Sequence, residues 1–186
     1  MKATRTFQLV FMAMLSAIAV VLMILVRIPL IPATPFLIYD MADVPVLIGT
    51  MLGGIIPGLL ILFVTSAIQA FVLGGDYWVG FIMHFVSSGV LVVVTGLFHT
   101  CNPKWWKTIL GFLIGSLAMT AVMIPMNLVL TPLFMGAPRE AVVALLLPAI
   151  IPFNLFKSAL NCSITLAVYR LLTPFTGKNL LRFSSC

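Results

Sequence analysis

Of the 186 residues, 62% are hydrophobic and only 8% charged, which excludes a soluble domain, where about a quarter of the residues would be charged. The surplus apolar surface fits lipid, and a single helical membrane domain over residues 1–186 is expected to use the whole length, leaving no room for a soluble catalytic or nucleotide-binding unit. The net charge of +6 forms no contiguous basic patch or aromatic platform, which argues against nucleic acid as a partner.

The apolar runs are about 20 residues long without dyad alternation, so helices are expected and not barrel strands. The first helix is expected over about Thr6–Arg27. Lys2 and Arg5 precede it as in a signal peptide, but the run is long enough to span and no small-x-small cleavage site follows, so it reads as retained. Its Ala13-x-x-x-Ala17 pair permits close helix approach. Spacing alone assigns that pair to packing within the bundle. Pro29, Pro32 and Pro35 then break the helix. Pro29–Asp43 is too apolar for an ordinary exposed loop and is expected to fold back over the bundle mouth. Asp43, just before Pro45, reads as the N-cap of a short second helix, Val44–Ile56. Asp40 is open between capping, pairing with Arg27 and touching a ligand.

The break GGIIPG, residues 53–58, separates this helix from a third ending near Leu73, with Thr65, Ser66 and Gln69 as a polar stripe. A fourth helix follows over Tyr77–Leu97. His84 in it reads first as a packing group, and no metal-ligand set surrounds it. Cys101, Cys162 and Cys186 lie far apart, without the spacing of a disulfide framework or metal site. Trp105 and Trp106, in the basic connection His99–Lys107, suit the headgroup level. The fifth helix, Thr108–Leu130, contains Pro125 and Asn127, and Thr131–Arg139 reads as a loop. The last helix starts near Pro152 and reaches Leu172, with Ala141–Ile151 as a short helix or bent entry.

The sequence thus predicts an all-α membrane protein, a six-transmembrane-helix bundle with a folded-back first outer loop. With both termini in the cytosol, seven basic residues lie inside (Lys2, Arg5, Lys104, Lys107, Arg170, Lys178 and Arg182). Two, Arg27 and Arg139, lie outside with all four acidic residues, as the positive-inside rule asks.

The chemistry concentrates in Pro148–Asn161. Lys157 is the only ionisable side chain in the middle of a long apolar run, and residues 154, 157, 158 and 161 share one helical face. A lone ammonium at bilayer depth costs roughly 2.5–3.5 kcal/mol on insertion scales, so it must face the bundle interior or water. Asn154, Lys157 and Asn127 converge at one outward-facing level. Their amide and ammonium groups suit a planar, uncharged or weakly anionic heterocycle with adjacent carbonyl and N–H groups. A second reading stands beside this one: Lys157 snorkels or pairs with Asp40, and the asparagines stitch helices together. No nucleophile–base pair, catalytic carboxylate pair or phosphate-cradling loop is present, so an enzyme is not expected.

PFLIYDMADVPVLIG at residues 35–49, PMN at 125–127 and IPFNLFKSAL at 151–160 resemble the riboflavin-specific substrate-binding subunits of bacterial energy-coupling-factor (ECF) transporters. The Y-D-x-x-D-x-P and P-F-N-x-x-K arrangements carry the resemblance, which covers nearly the whole chain. It implies a six-helix subunit of the cell membrane that binds riboflavin from outside as a transported substrate, with no cofactor. Its implied partners are a transmembrane coupling protein and two cytosolic ATPases, and the whole subunit would topple in the membrane to deliver its cargo. It also implies docking to the coupling protein through Ala13 and Ala17. Flavin contacts carry over to Asn127, Asn154 and Lys157, with Tyr39 and Asp40 in a loop closing over the ring. The match is poorer in the third and fourth helices, where Gln69 and His84 are possible ligand contacts and His84 stands in place of an amide or carboxylate. Two other readings remain open at this level, a sibling subunit for another vitamin and a stand-alone secondary transporter.

Overall fold

The computed structural model describes residues 5–31, 34, 37–74, 77–100, 104–136 and 138–172. Its helices are α1 (Arg5–Leu25), α2 (Asp43–Gly53), α3 (Ile55–Ile68), α4 (Tyr77–Thr100), α5 (Trp105–Met135), α6 (Arg139–Leu145) and α7 (Ile151–Leu172). Two π-helical turns extend them, Gln69–Gly74 after α3 and Leu146–Ile150 between α6 and α7. The second contains Pro148, whose missing N–H breaks the α-helical ladder there. Through it, α6 and α7 form one apolar rod, Arg139–Leu172.

Among the described residues, five helical stretches are long and apolar enough to cross a bilayer: Arg5–Leu25, Ile55–Leu73, Tyr77–His99, Trp105–Met135 and Arg139–Leu172. The sixth apolar helix is α2. At 11 residues it is only about 16 Å long, and every one of its residues is buried. It is apolar on all sides because it has protein on all sides: α1, α3, α4 and α7 each pack against it. Leu47 and Val46 sit with Ile61, Leu62, Leu91 and Met119 in the main core. The expected all-α membrane bundle is therefore the observed fold, with α2 as its short, fully enclosed helix.

The break between α2 and α3 falls on Gly54, at φ 93°, a conformation that side chains with a Cβ avoid. The first loop folds back as expected. Ile28–Pro29 and Ile38–Tyr39 pair antiparallel, Ile28 opposite Tyr39 and Pro29 opposite Ile38. Leu37 and Tyr39 then pack on Val142, Ala149, Ile150 and Phe153. Of the prolines assigned to breaking this segment, Pro32 and Pro35 lie outside the described residues, as do Lys2, Asp76, Cys101, Cys186, Lys178 and Arg182.

Most boundaries shift by one to three residues, and the end of α5 shifts furthest. α5 was expected to end at Leu130 but runs on to Met135, carrying Pro125 and Pro132 within it, and stops where Gly136 takes the left-handed conformation at φ 63°. A membrane helix tolerates proline when neighbouring groups satisfy the freed carbonyls, so the Thr131-Pro132 pair did not end it.

Gly58 sits where α3 meets α2 and α4. A Cβ built there would overlap the Thr50 side chain and stand 3.1 Å from Val92 Cγ1. Gly58→Val is expected to force these helices apart and cost about 1–3 kcal/mol, read as a lower unfolding temperature in detergent. Leu60→Val, on the exposed face of the same helix, should leave that temperature within error.

Candidate ligand cavity

The polar stripe of α7 is buried as its spacing requires. Asn154, Lys157, Ser158 and Asn161 are inside, while Phe156 is 52% exposed toward the lipid side. Lys157 retains 7% of its surface, and its Nζ donates to Asp40 Oδ2 at 2.8 Å. A buried ammonium without a counter-ion would cost several kcal/mol. The loop hairpin supplies that counter-ion from 117 positions away. The other Asp40 oxygen accepts the Ala42 backbone N–H at 3.1 Å, fixing the carboxylate where the chain turns into α2.

Asn161, one turn further along α7, ties the hairpin down. Its Oδ1 accepts the Tyr39 hydroxyl at 2.9 Å; its Nδ2 donates to the Asp40 carbonyl at 3.2 Å and to Asp43 Oδ2 at 3.3 Å. Burial, and after it the neighbouring Asp40 carboxylate, raise the Tyr39 pKa above its ordinary 10.0, so the phenol stays a hydrogen-bond donor.

Asp43 does not cap α2. Ala42 holds the N-cap position with no side-chain cap bond, and Asp43 is the first helical residue. Its other oxygen, Oδ1, lies 3.3 Å from His84 Nε2, and His84 Nδ1 lies 3.2 Å from Ser66 Oγ. The physical reason is burial. The start of α2 is enclosed by α4 and α7, whose side-chain donors reach the carboxylate that water cannot. His84 is thereby a partner for a buried carboxylate as well as part of the cavity wall.

A cavity of about 280 Å³ opens between α1, α4, α5, α7 and the hairpin. Asn127, Asn154, Lys157, Asp40, Gln69 and His84 all line it, so six of the seven candidate contacts meet at one void. Tyr39 is not among the lining residues; its ring packs under the hairpin and its hydroxyl is taken by Asn161. Lys157 pairs with Asp40 and also lines the cavity, whereas the side-chain bonds of Asn127 and Asn154 stay four residues away in sequence and do not stitch separate helices together.

The amides are held in place before any ligand arrives. Asn127 Nδ2 donates to the Met123 carbonyl at 2.8 Å and its Oδ1 accepts from Thr131 at 3.0 Å, while Asn154 Nδ2 donates to the Ile150 carbonyl at 2.7 Å. Each amide nitrogen carries two protons, so one of each remains beyond these bonds. Also on the wall, Gln69 Oε1 is buried with no hydrogen-bond partner among the described residues. Such an orphan acceptor beside a void asks for a donor that the described residues do not supply.

Sequence reasoning missed Arg27 and the sulfur-rich wall. Arg27 was placed in an outer loop and offered to Asp40; its guanidinium lines the cavity mouth and donates to the Leu73 carbonyl at 3.2 Å. Met119 and Met123 line the cavity on the same stripe as Asn127 and Thr131. Their i, i+4 spacing back from Asn127 was a usable signal. Ala13 and Ala17 are both exposed, on the side of α1 away from its buried Leu15, Ser16 and Ala19.

Known proteins resemble this chain over most of its length. The family model described as "ECF transporter, substrate-specific component" matches residues 7–169. The riboflavin transporter RibU of Staphylococcus aureus is 30% identical over 175 residues, covering 90% of this chain and 91% of that protein. RibU of Streptococcus thermophilus is 29% identical over 163 residues, covering 83% and 77%. RibU of Lactococcus lactis is 28% identical over 127 residues, which span 67% of this chain and 62% of its own length. A solved structure described as "Structure and mechanism of the S component of a bacterial ECF transporter" superposes with a TM-score of 0.83 at 25% identity, covering 94% of this chain and all of that one.

Asn161 holds three groups of the hairpin and α2 at once. Asn161→Leu is expected to leave at least one of them buried and unpaired, costing about 2 kcal/mol or more. Hydrogen exchange at residues 37–43 should quicken while that of α4 and α5 stays slow; unchanged protection at 37–43 would contradict the tethering role.

Proposed function

The chain belongs to the substrate-specific components of ECF transporters, and from that premise we propose that it captures riboflavin outside the cell and delivers it inward as the binding subunit of an ATP-driven importer. The observation that carries the reading is the meeting of Asn127, Asn154 and Lys157 on one cavity with a largely apolar wall. Two amides and an ammonium can read the carbonyl and imide edge of a flavin, and neither group needs to change its protonation to do so. Met119, Met123 and Phe153 offer polarizable surface to the dimethylbenzene side. Gln69 Oε1, without a partner among the described residues, suits the hydroxyl-rich ribityl chain, as do Ser87 and His84 elsewhere on the wall. Asp40 and the hairpin close the outer side, anchored through Tyr39.

The void is close to the lower end of small-molecule pockets, about 300–1,000 Å³. Methionine walls adapt readily to a larger guest. The role is binding and carriage. ATP hydrolysis falls to two cytosolic ATPases, joined through a transmembrane coupling protein, and both termini of this chain face them. The exposed Ala13 and Ala17 supply a face on α1 where a partner helix can approach closely.

Protein purified in detergent is expected to be yellow, or to quench the fluorescence of added riboflavin at stoichiometric concentration. Lys157→Met and Asn154→Leu should each weaken binding by about 10- to 100-fold, the loss of one or two hydrogen bonds including a charged one. Wild-type protein that neither retains nor quenches riboflavin would refute the substrate. Replacing Ala13 and Ala17 together by Leu should preserve riboflavin quenching and abolish co-purification with the coupling protein and ATPases. The reverse pattern would remove α1 from the interface.

A further inference from the structure

The lysine that makes this cavity conspicuous does not make it a cationic site. Lys157 Nζ is 2.8 Å from Asp40 Oδ2, with both side chains buried. A second carboxylate, Asp43, is one side chain away: Asn161 Nδ2 bonds both the Asp40 carbonyl and Asp43 Oδ2. Lys157, Asp40 and His84 line the cavity here, while Asp43, against His84, and the neutral Tyr39 hydroxyl, bonded to Asn161, are not among its lining residues. Arg27, the other cation on the wall, is at the mouth and bonded to Leu73.

We propose that Asp40 sets the charge selectivity of the cavity: by neutralising Lys157 it fits this end to an uncharged imide or amide edge and against carboxylate ligands. The inference rests on the flavin reading above. An ammonium has three donors and Asp40 takes one. Two remain for ligand carbonyls, without the net attraction that would draw in an anion. A ligand carboxylate would add a third negative charge where low dielectric magnifies repulsion. A weakly acidic imide, by contrast, keeps its proton there and loses nothing. Specificity of this kind comes from penalising the wrong ligand as much as from holding the right one.

The test uses full-length protein in detergent, loaded with riboflavin and titrated with base, while absorbance of the bound flavin reports loss of its imide proton. Asp40→Asn leaves the ammonium without its counter-ion. The bound flavin is then expected to ionise about one pH unit or more below its wild-type value, the shift that loss of one adjacent negative charge produces. A structural role alone would lower affinity without moving that ionisation. Ionisation in D40N at or above the wild-type pH overturns the proposal.

Because D40N strands a buried charge and can fail to fold, the double variant D40N/K157Q replaces the neutral ion pair by a neutral polar pair. Ionisation within about one pH unit of wild type supports the proposal. A larger rise shows that the ligand had felt the ammonium's charge and overturns it. Wild-type protein that holds no riboflavin overturns the flavin reading and this inference with it. Riboflavin bound with unmoved ionisation in D40N overturns the role of Asp40 alone.

Discussion

Everything around the cavity of this molecule depends on one buried ion pair. Lys157 on α7 and Asp40 on the hairpin meet at 2.8 Å inside a bundle whose exterior faces lipid. Neither charge is tolerable there alone. The pair therefore fixes the hairpin relative to α7, and the hairpin in turn closes the cavity. Asn161 reinforces the same junction with bonds to Tyr39, Asp40 and Asp43. Position and electrostatics are inseparable: a hairpin that moved away would strand the ammonium.

That junction needs a rigid support, and α2 provides it. A helix of 11 residues buried on every side cannot shift without disturbing the four helices packed on it. It begins at Asp43, so the carboxylate that reaches His84 and Asn161 is presented by the most enclosed backbone in the bundle. His84 extends the chain of contacts to Ser66 on α3. The polar groups of five separate elements thus form a continuous network beside the cavity, and low dielectric strengthens each bond within it.

Much of this was legible in the sequence, for a physical reason. Segments that cross lipid must be long and apolar, so their number and order follow from hydropathy. A buried polar group in such a segment is expensive, so Asn154, Lys157 and Asn161 mark their own face of α7. Partners distant in sequence were harder. Asp43 looked like a cap because Asp before a helix usually is one; its actual donors lie 41 and 118 positions away. Arg27 was assigned by its place at a helix end, where nothing local reveals that the Leu73 carbonyl waits across the mouth. The π turns and the extension of α5 through Pro132 depend on neighbours that satisfy freed backbone groups, and composition does not display those.

A further consequence concerns why such a pair persists. Replacing a buried ion pair with well-packed apolar residues is often neutral or stabilising, so stability alone gives no reason to keep Lys157 and Asp40. An apolar substitute would preserve the packing yet remove the donors from the cavity wall. A lone amide in place of the lysine would offer donors but give the hairpin no electrostatic hold. The ion pair does both: it leaves two ammonium protons facing a guest and pins the loop that encloses it. A site that must hold a neutral heterocycle and close over it gains from this combination, whereas a site for an anion would be better served by a lysine with no carboxylate beside it.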